Sequence, residues 1–147
     1  MGLGGILFSL NGRIGRGGFW LGVLMSVLLS IVSMGLIFML VPMDQMLVLD
    51  ANGQPVLDAL GNPQFDYGNP AMMPAFIIYG ISGLLGLWWS IAYTVKRLHD
   101  RGKSGWWYLL MIVLSFILVG FIWWLVECGI LEGNEGPNKY GPDPRAA

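Results

Sequence analysis

Residues 17–43 read GGFWLGVLMSVLLSIVSMGLIFMLVPM and contain no Asp, Glu, Lys or Arg. At 1.5 Å of helical rise per residue, about 20 such residues cross a hydrocarbon core of roughly 30 Å. Two further stretches, 67–95 and 104–126, are equally free of charge. Each holds an apolar run of crossing length, and backbone groups inside lipid need the pairing that a helix supplies. The reading is three transmembrane helices near 19–41, 74–95 and 106–126. Buried helices of a soluble protein are the alternative, but three of them would leave a chain of 147 residues almost no polar surface to cover them.

Composition points the same way. The chain is 55% hydrophobic and 12% charged, against roughly one half and one quarter in soluble domains. This excludes a disordered chain, a nucleic-acid partner held on a basic face, and an ordinary soluble enzyme. One cysteine makes no internal disulfide and one histidine no metal cluster, so neither a metal nor a cofactor is expected. Residues 1–10 lack the basic segment of a signal peptide, and the first apolar run exceeds the about 7–15 residues of a signal core. The first helix is therefore expected to remain as a span.

Bases beside the spans set the expected orientation. Arg13 and Arg16 precede the first helix, and Lys96, Arg97, Arg101 and Lys103 lie between the second and third, while Asp44, Asp50, Asp58 and Asp66 occupy the first loop without a base. The expected fold is an all-α membrane protein of one domain, multi-pass with its N-terminus cytoplasmic. It has an outer loop over 42–70, a cytoplasmic loop over 96–105 and a polar tail over 127–147. Three crossings would put the tail outside, although Lys139 and Arg145 against Glu127, Glu132, Glu135 and Asp143 vote poorly. Phe19 and Trp20, then Trp106, Trp107 and Tyr108, open the first and third helices as interfacial anchors, and Trp123 and Trp124 approach the far end of the third.

Small residues at helical spacing mark close contacts between membrane helices. Gly22, Ser26, Ser30 and Ser33 form such a stripe on the first helix, and Ser82, Gly86 and Ser90 another on the second, giving an expected seam. In the outer loop Asp50, Asp58 and Asp66 recur every eight residues, each followed by a turn signal: Asn52-Gly53, Gly61-Asn62 and Gly68-Asn69. These signals fit either a small β-meander over 46–65 or a flexible surface loop. A calcium loop lacks its dense oxygen ligands and terminal Glu here.

Three polar clusters border the spans: Asn11-Gly12-Arg13-Ile14-Gly15-Arg16-Gly17-Gly18-Phe19-Trp20, then Lys96-Arg97-Leu98-His99-Asp100-Arg101-Gly102-Lys103-Ser104-Gly105-Trp106-Trp107, then Gly136-Pro137-Asn138-Lys139-Tyr140-Gly141-Pro142-Asp143-Pro144. Together they resemble domain-of-unknown-function family 805, the YhaH-like small bacterial inner-membrane proteins, in which a Gly-Arg-x-x-Arg segment, an Arg-Leu-His-Asp segment running into Ser-Gly-Trp-Trp, and an Asn-x-Tyr-Gly-Pro-Asp-Pro tail follow in this order. Lys96 stands where the family commonly has Arg, and the periodic outer loop is longer than the family leads one to expect. The resemblance implies a bacterial inner-membrane protein and brings no activity, cofactor or catalytic residue with it.

Read physically, Asp100 pairs either with Lys96 or Arg97 on its own helix or with Arg13 or Arg16 from the other inner segment. Ser104 stands where the third helix should be capped. The candidate binding residues are Arg13, Arg16, Arg97, His99, Asp100, Lys103, Ser104, Trp106, Trp107, Asn138, Tyr140 and Asp143. Their charge suits an anionic group, either a phospholipid headgroup or a protein carboxylate, with tryptophan as an interfacial wall; the bland alternative is a positive-inside connector with one ion pair. Gly12 to Gly18 lets backbone N–H groups approach a phosphate but matches neither nucleotide-binding glycine pattern. The leading expectation is a non-enzymatic protein whose partners are membrane lipids, a membrane protein or further copies of itself. The rivals are an oligomeric channel or transporter subunit, suggested by the serine stripe, and a lipid-modifying enzyme using His99 beside Asp100.

Overall fold

A computed structural model describes residues 1–146. In chain order the helices are α1 (Leu3–Phe8), α2 (Arg16–Leu40), α3 (Met43–Met46), a 3-10 turn (Pro70–Met72), α4 (Met73–Asp100), α5 (Trp106–Ser115), α6 (Val119–Trp124) and a π-helical turn (Leu125–Ile130). Two of them, α2 and the helix ending at Asp100, are long and apolar enough to cross a membrane. Their surfaces carry large exposed apolar side chains such as Leu24, Ile31, Val32, Ile77 and Leu84, the reverse of a soluble helix.

The chain divides into two units. The first comprises residues 1–27 and 85–146. Its core gathers Phe19, Tyr93, Leu98, Met111 and Cys128 with Ile6, Leu7 and Ile14. Phe19 is fully buried and meets the rings of Trp20, Tyr93 and Trp124 edge-on at 5.5, 5.6 and 5.1 Å, the favoured geometry for aromatic pairs. Gly22 lies where a Cβ would meet the Tyr93 ring at 2.6 Å, so one member of the expected glycine–serine seam is a true close approach of α2 to α4.

The uninterrupted third helix expected over 106–126 is not what forms. The segment breaks after Ser115, Leu118 takes a left-handed backbone (φ 63°), and α6 folds back along α5. Gly120 permits this, because a Cβ there would overlap the Met111 carbonyl and the Ser115 amide. Ser115 Oγ donates to Met111 O at 2.7 Å, and the turn amides of Ile117 and Leu118 donate to Leu114 O and Ser115 O. The apolar run alone hid the break, since its length suits one crossing helix or two short antiparallel ones equally. The break also returns the tail to the N-terminal segment, where Arg13 donates to the carbonyls of Asn134, Gly136 and Gly141.

The second unit, residues 28–84, packs Val41, Met46, Met72 and Ala75 against Ile37. No strand forms among the described residues, and the expected β-meander is replaced by isolated bridges, Leu47 with Phe65, Leu49 with Pro55 and Leu57 with Pro63. The eight-residue period instead closes a ring of three hydrogen bonds: Val48 N–H to Gln64 O, Val56 N–H to Val48 O, and Gln64 N–H to Val56 O, at 2.8–2.9 Å. Each repeat then turns through an aspartate. Asp50 Oδ1 accepts from Asn52 and Gln54 N–H, Asp58 Oδ1 from Leu60 and Asn62, and Asp66 Oδ1 from Gly68. These are Asx turns, and they hold the carboxyls of Asp50 and Asp58 below their usual range.

Candidate functional site

The end of α4 carries four polar residues around Leu98, namely Lys96, Arg97, His99 and Asp100, and the helical repeat sends them to different partners. Arg97 and Asp100, three apart, share a face and pair directly through Arg97 NH1 and Asp100 Oδ2. The other Asp100 oxygen goes to Arg13, with Nε at 3.1 Å and NH2 at 3.0 Å. Lys96 does not reach Asp100. Its ammonium donates to the carbonyls of Gly5 and Ile6 at the end of α1, where the last carbonyls of a helix lack partners. Arg13, Lys96, Arg97 and Asp100 are all buried.

The guanidinium groups then bind the tail. Arg13 donates to the carbonyls of Asn134 (2.6 Å), Gly136 (2.7 Å) and Gly141 (3.2 Å). Arg97 donates to Cys128 O at 2.8 Å and also to Leu131 O. Asn134 N–H closes the circuit on Asp100 O at 2.8 Å. The tail runs so close to Asp100 that a Cβ at Gly133 would overlap the carboxylate. A buried carboxylate with two guanidiniums, every one of them also spent on backbone carbonyls, is a tie that joins the N-terminal segment, the α4 end and the tail into one polar cap.

His99 faces away from Asp100. Its Nδ1 lies 3.3 Å from Gly12 O, its ring stacks on Tyr140 at 3.9 Å between centroids and 5° between planes, and its carbonyl accepts from Asn138 Nδ2 at 2.9 Å. Asn138 Oδ1 accepts from the Tyr140 amide at 2.8 Å. Asp143 accepts from Gly136 N–H and from Arg145, which together hold its carboxyl well below the usual carboxylate range. With Asp100 held by guanidiniums and His99 turned to Gly12, the two do not form the oriented pair that acid–base chemistry by His99 would use.

On the other flank, Glu127 is buried and accepts from Arg101 Nε at 2.7 Å and Lys103 Nζ at 2.8 Å. Burial pushes its carboxyl up, and the hydrogen bonds and charges of Lys103 and Arg101 outweigh this and hold it below 4.5. Lys103 also sits over the rings of Trp107 and Trp123 at 5.7 and 6.0 Å, within cation–π range. Gly105, not Ser104, takes the capping position of α5, and the Ser104 hydroxyl still accepts from Trp106 N–H at 3.4 Å. Arg16 reaches Glu132 at 2.9 Å and Ile130 O at 3.3 Å. Trp106 is 77% exposed and its side chain joins none of this.

Eleven of the twelve expected site residues thus sit in the cap, while Arg101, Glu127, Glu132 and Asn134 were not among them and Lys96 was expected only as a partner of Asp100. Glu127 had a readable signal, a lone acid ending the apolar run that begins at Ser104. The backbone carbonyls that receive the guanidiniums had none.

Comparison with known proteins gives a consistent setting. A family model described as a protein of unknown function, DUF805, matches residues 7–142. The uncharacterized protein YiiR of Escherichia coli K12 is 30% identical over 93% of this chain and 86% of its own length. The inner membrane protein YhaH of the same organism is 31% identical over 92% of this chain and 86% of its own. The inner membrane protein YhaI is 42% identical over a shorter stretch, 37% of this chain and 43% of its own. No solved structure matches. The matched residues begin within α1 and end beyond Gly141, so they enclose both halves of the cap tie; the chain is a membrane protein and belongs to the DUF805 family.

Proposed function

We propose that this protein is non-enzymatic and holds an anionic lipid headgroup against its polar cap at the cytoplasmic face of the inner membrane. In this reading α2 and α4 cross the bilayer, the 42–70 loop lies outside, and the α5–α6 hairpin enters and leaves from the cytoplasmic side. Ten residues of α5 extend about 15 Å, half of a hydrocarbon core. The clustering of bases in 1–27 and 96–105 supports the orientation. The observation that carries the binding reading is a division of labour among the cations. Arg13 and Arg97 are buried in the tie, whereas the side chains of Arg16, Lys103 and Arg145 stay 50%, 33% and 47% exposed at the cap surface, where headgroup charge is met.

The test is co-flotation of the purified protein in phosphatidylcholine nanodiscs with and without phosphatidylglycerol, read as lipid retained by native mass spectrometry. Retention of phosphatidylglycerol over phosphatidylcholine, lost in an Arg16→Gln/Arg145→Gln double variant, is the expected result; equal retention of both lipids would overturn the reading. Cysteine labelling in a Cys128→Ser background tests the topology. Asn62→Cys and Ala146→Cys are expected on opposite sides of the membrane, and finding them on the same side would exclude the returning hairpin.

A further inference from the structure

At the start of α2 a cavity of about 240 Å³ opens over Gly15, Arg16 and Gly17, walled by Arg97, Arg145, Asp100, Glu132 and Gly133. With the ion-pair partners that reach the lining included, four guanidiniums (Arg13, Arg16, Arg97 and Arg145) face three carboxylates (Asp100, Glu132 and Asp143, the last paired with Arg145), leaving one formal positive charge. The carboxylates are already engaged, Asp100 by Arg13 and Arg97 and Glu132 by Arg16. Arg97 uses three of its five N–H groups on Cys128 O, Asp100 and Leu131 O, which leaves donor capacity at the cavity wall. The first amides of α2 add partial positive charge and lack acceptors within the helix.

The two glycines supply an independent clue. Neither Gly15 nor Gly17 has a left-handed backbone, and a Cβ at either would meet nothing within 4 Å. Conformation and packing therefore give no reason for glycine, and glycine in the first turn of a helix weakens it. Open space above bare backbone, under an arginine wall, is what a tetrahedral oxyanion needs to reach main-chain N–H groups. The volume is below the roughly 300–1,000 Å³ of sites for drug-sized ligands, so it suits a single oxyanion group rather than a whole nucleotide.

We propose that this cavity binds a phosphate group, through the α2 amides at Gly15 to Gly17 and the guanidiniums of Arg16, Arg97 and Arg145. Resting on the headgroup reading, it narrows the ligand to a phosphoryl group and the site to one cavity; the phosphate can belong to a lipid or be free in solution.

The experiment titrates the full-length protein in phosphatidylcholine nanodiscs with inorganic phosphate, and in parallel compares nanodiscs with and without phosphatidylglycerol. The variants are Gly17→Ala, Arg145→Gln and, as a control outside the cavity, Lys139→Gln. Gly17→Ala is expected to raise or preserve thermal stability while weakening binding about tenfold, the scale of one charge-assisted hydrogen bond. Arg145→Gln should weaken it similarly and Lys139→Gln should not. If Gly17→Ala binds as tightly as the wild type, the cavity proposal falls and any phosphatidylglycerol preference belongs to the exposed rim alone. Binding of inorganic phosphate without lipid preference keeps the cavity and removes the headgroup reading. No binding of either by the wild type removes both.

Discussion

The outer loop and the polar cap solve one problem, irregular backbone with groups to satisfy, by opposite means. In the loop, acids accept from amides two to four residues ahead, as Asp50 does from Asn52 and Gln54. In the cap, bases donate to carbonyls far along the chain, Arg97 to Cys128 at a separation of 31 and Arg13 to Gly141 at 128. A local solution is complete within each repeat and fails one repeat at a time. A distant one is shared, so removing a single member releases three segments at once.

The largest expected effect follows from that sharing. Asp100→Ala leaves two buried guanidiniums without their carboxylate, which costs about 3–5 kcal/mol, and Arg13→Ala, with Asp100 still paired to Arg97, removes the donor to the carbonyls of Asn134, Gly136 and Gly141. Either variant should free the tail, and limited trypsin digestion should cut after Lys139 far faster than in the wild type while the membrane helices stay intact. Unchanged cleavage after Lys139 would mean the tail is held by something other than the tie, and the contrast with the loop would collapse.

The same difference explains what could be read from the sequence. The eight-residue spacing of Asp50, Asp58 and Asp66 announced turns, because Asx turns are specified by residues within one repeat; only their closure into a ring instead of a meander was hidden, since that depends on which repeats pair. The membrane character and the starts of α2, α4 and α5 were legible from charge-free length. The break at Leu118 was not, because it rests on Gly120 passing against Met111 and Ser115, a tertiary fit with no local signature. Residues picked out by their clustering come together in the cap, yet the burial of Arg13, Arg97 and Asp100 was invisible, since it arises when the returning hairpin brings the tail's carbonyls to Arg13 and Arg97.

Glu127 sharpens the comparison on the pH axis. Its carboxyl is held below 4.5 by Lys103 and Arg101, so its contribution is present above that value and is lost as pH falls through the lowered one. Glu127→Gln should cost about 1–2 kcal/mol at neutral pH, less than the tie because Lys103 is a third exposed. It should also flatten the acid limb of stability measured by unfolding in mild detergent. An acid limb as steep as in the wild type would assign that sensitivity to other carboxylates. Tyr140→Ala removes the stack on His99 and should cost about 0.5–1.5 kcal/mol, seen as a modest rise in cleavage after Lys139 that stays below that of Asp100→Ala; a rise equal to Asp100→Ala would make the stack, not the tie, the holder of the tail.

Asp58→Ala is expected to have the smallest effect and bears most directly on the contrast. The side chain accepts from Leu60 and Asn62 amides, which lowers its carboxyl, so acidification through that lowered value should mimic the substitution. Hydrogen exchange should speed at Leu60 and Asn62 and stay slow at Val48, Val56 and Gln64, whose amides close the ring. Were all three ring amides to speed together, the loop would be a shared structure like the cap, with local sequence specifying its turns but not its stability. Retention of the ring would show that backbone pairing among the repeats carries the loop and that each aspartate serves only its own turn. An eight-residue spacing can encode that arrangement unaided, whereas the cap has to be assembled from both ends of the chain.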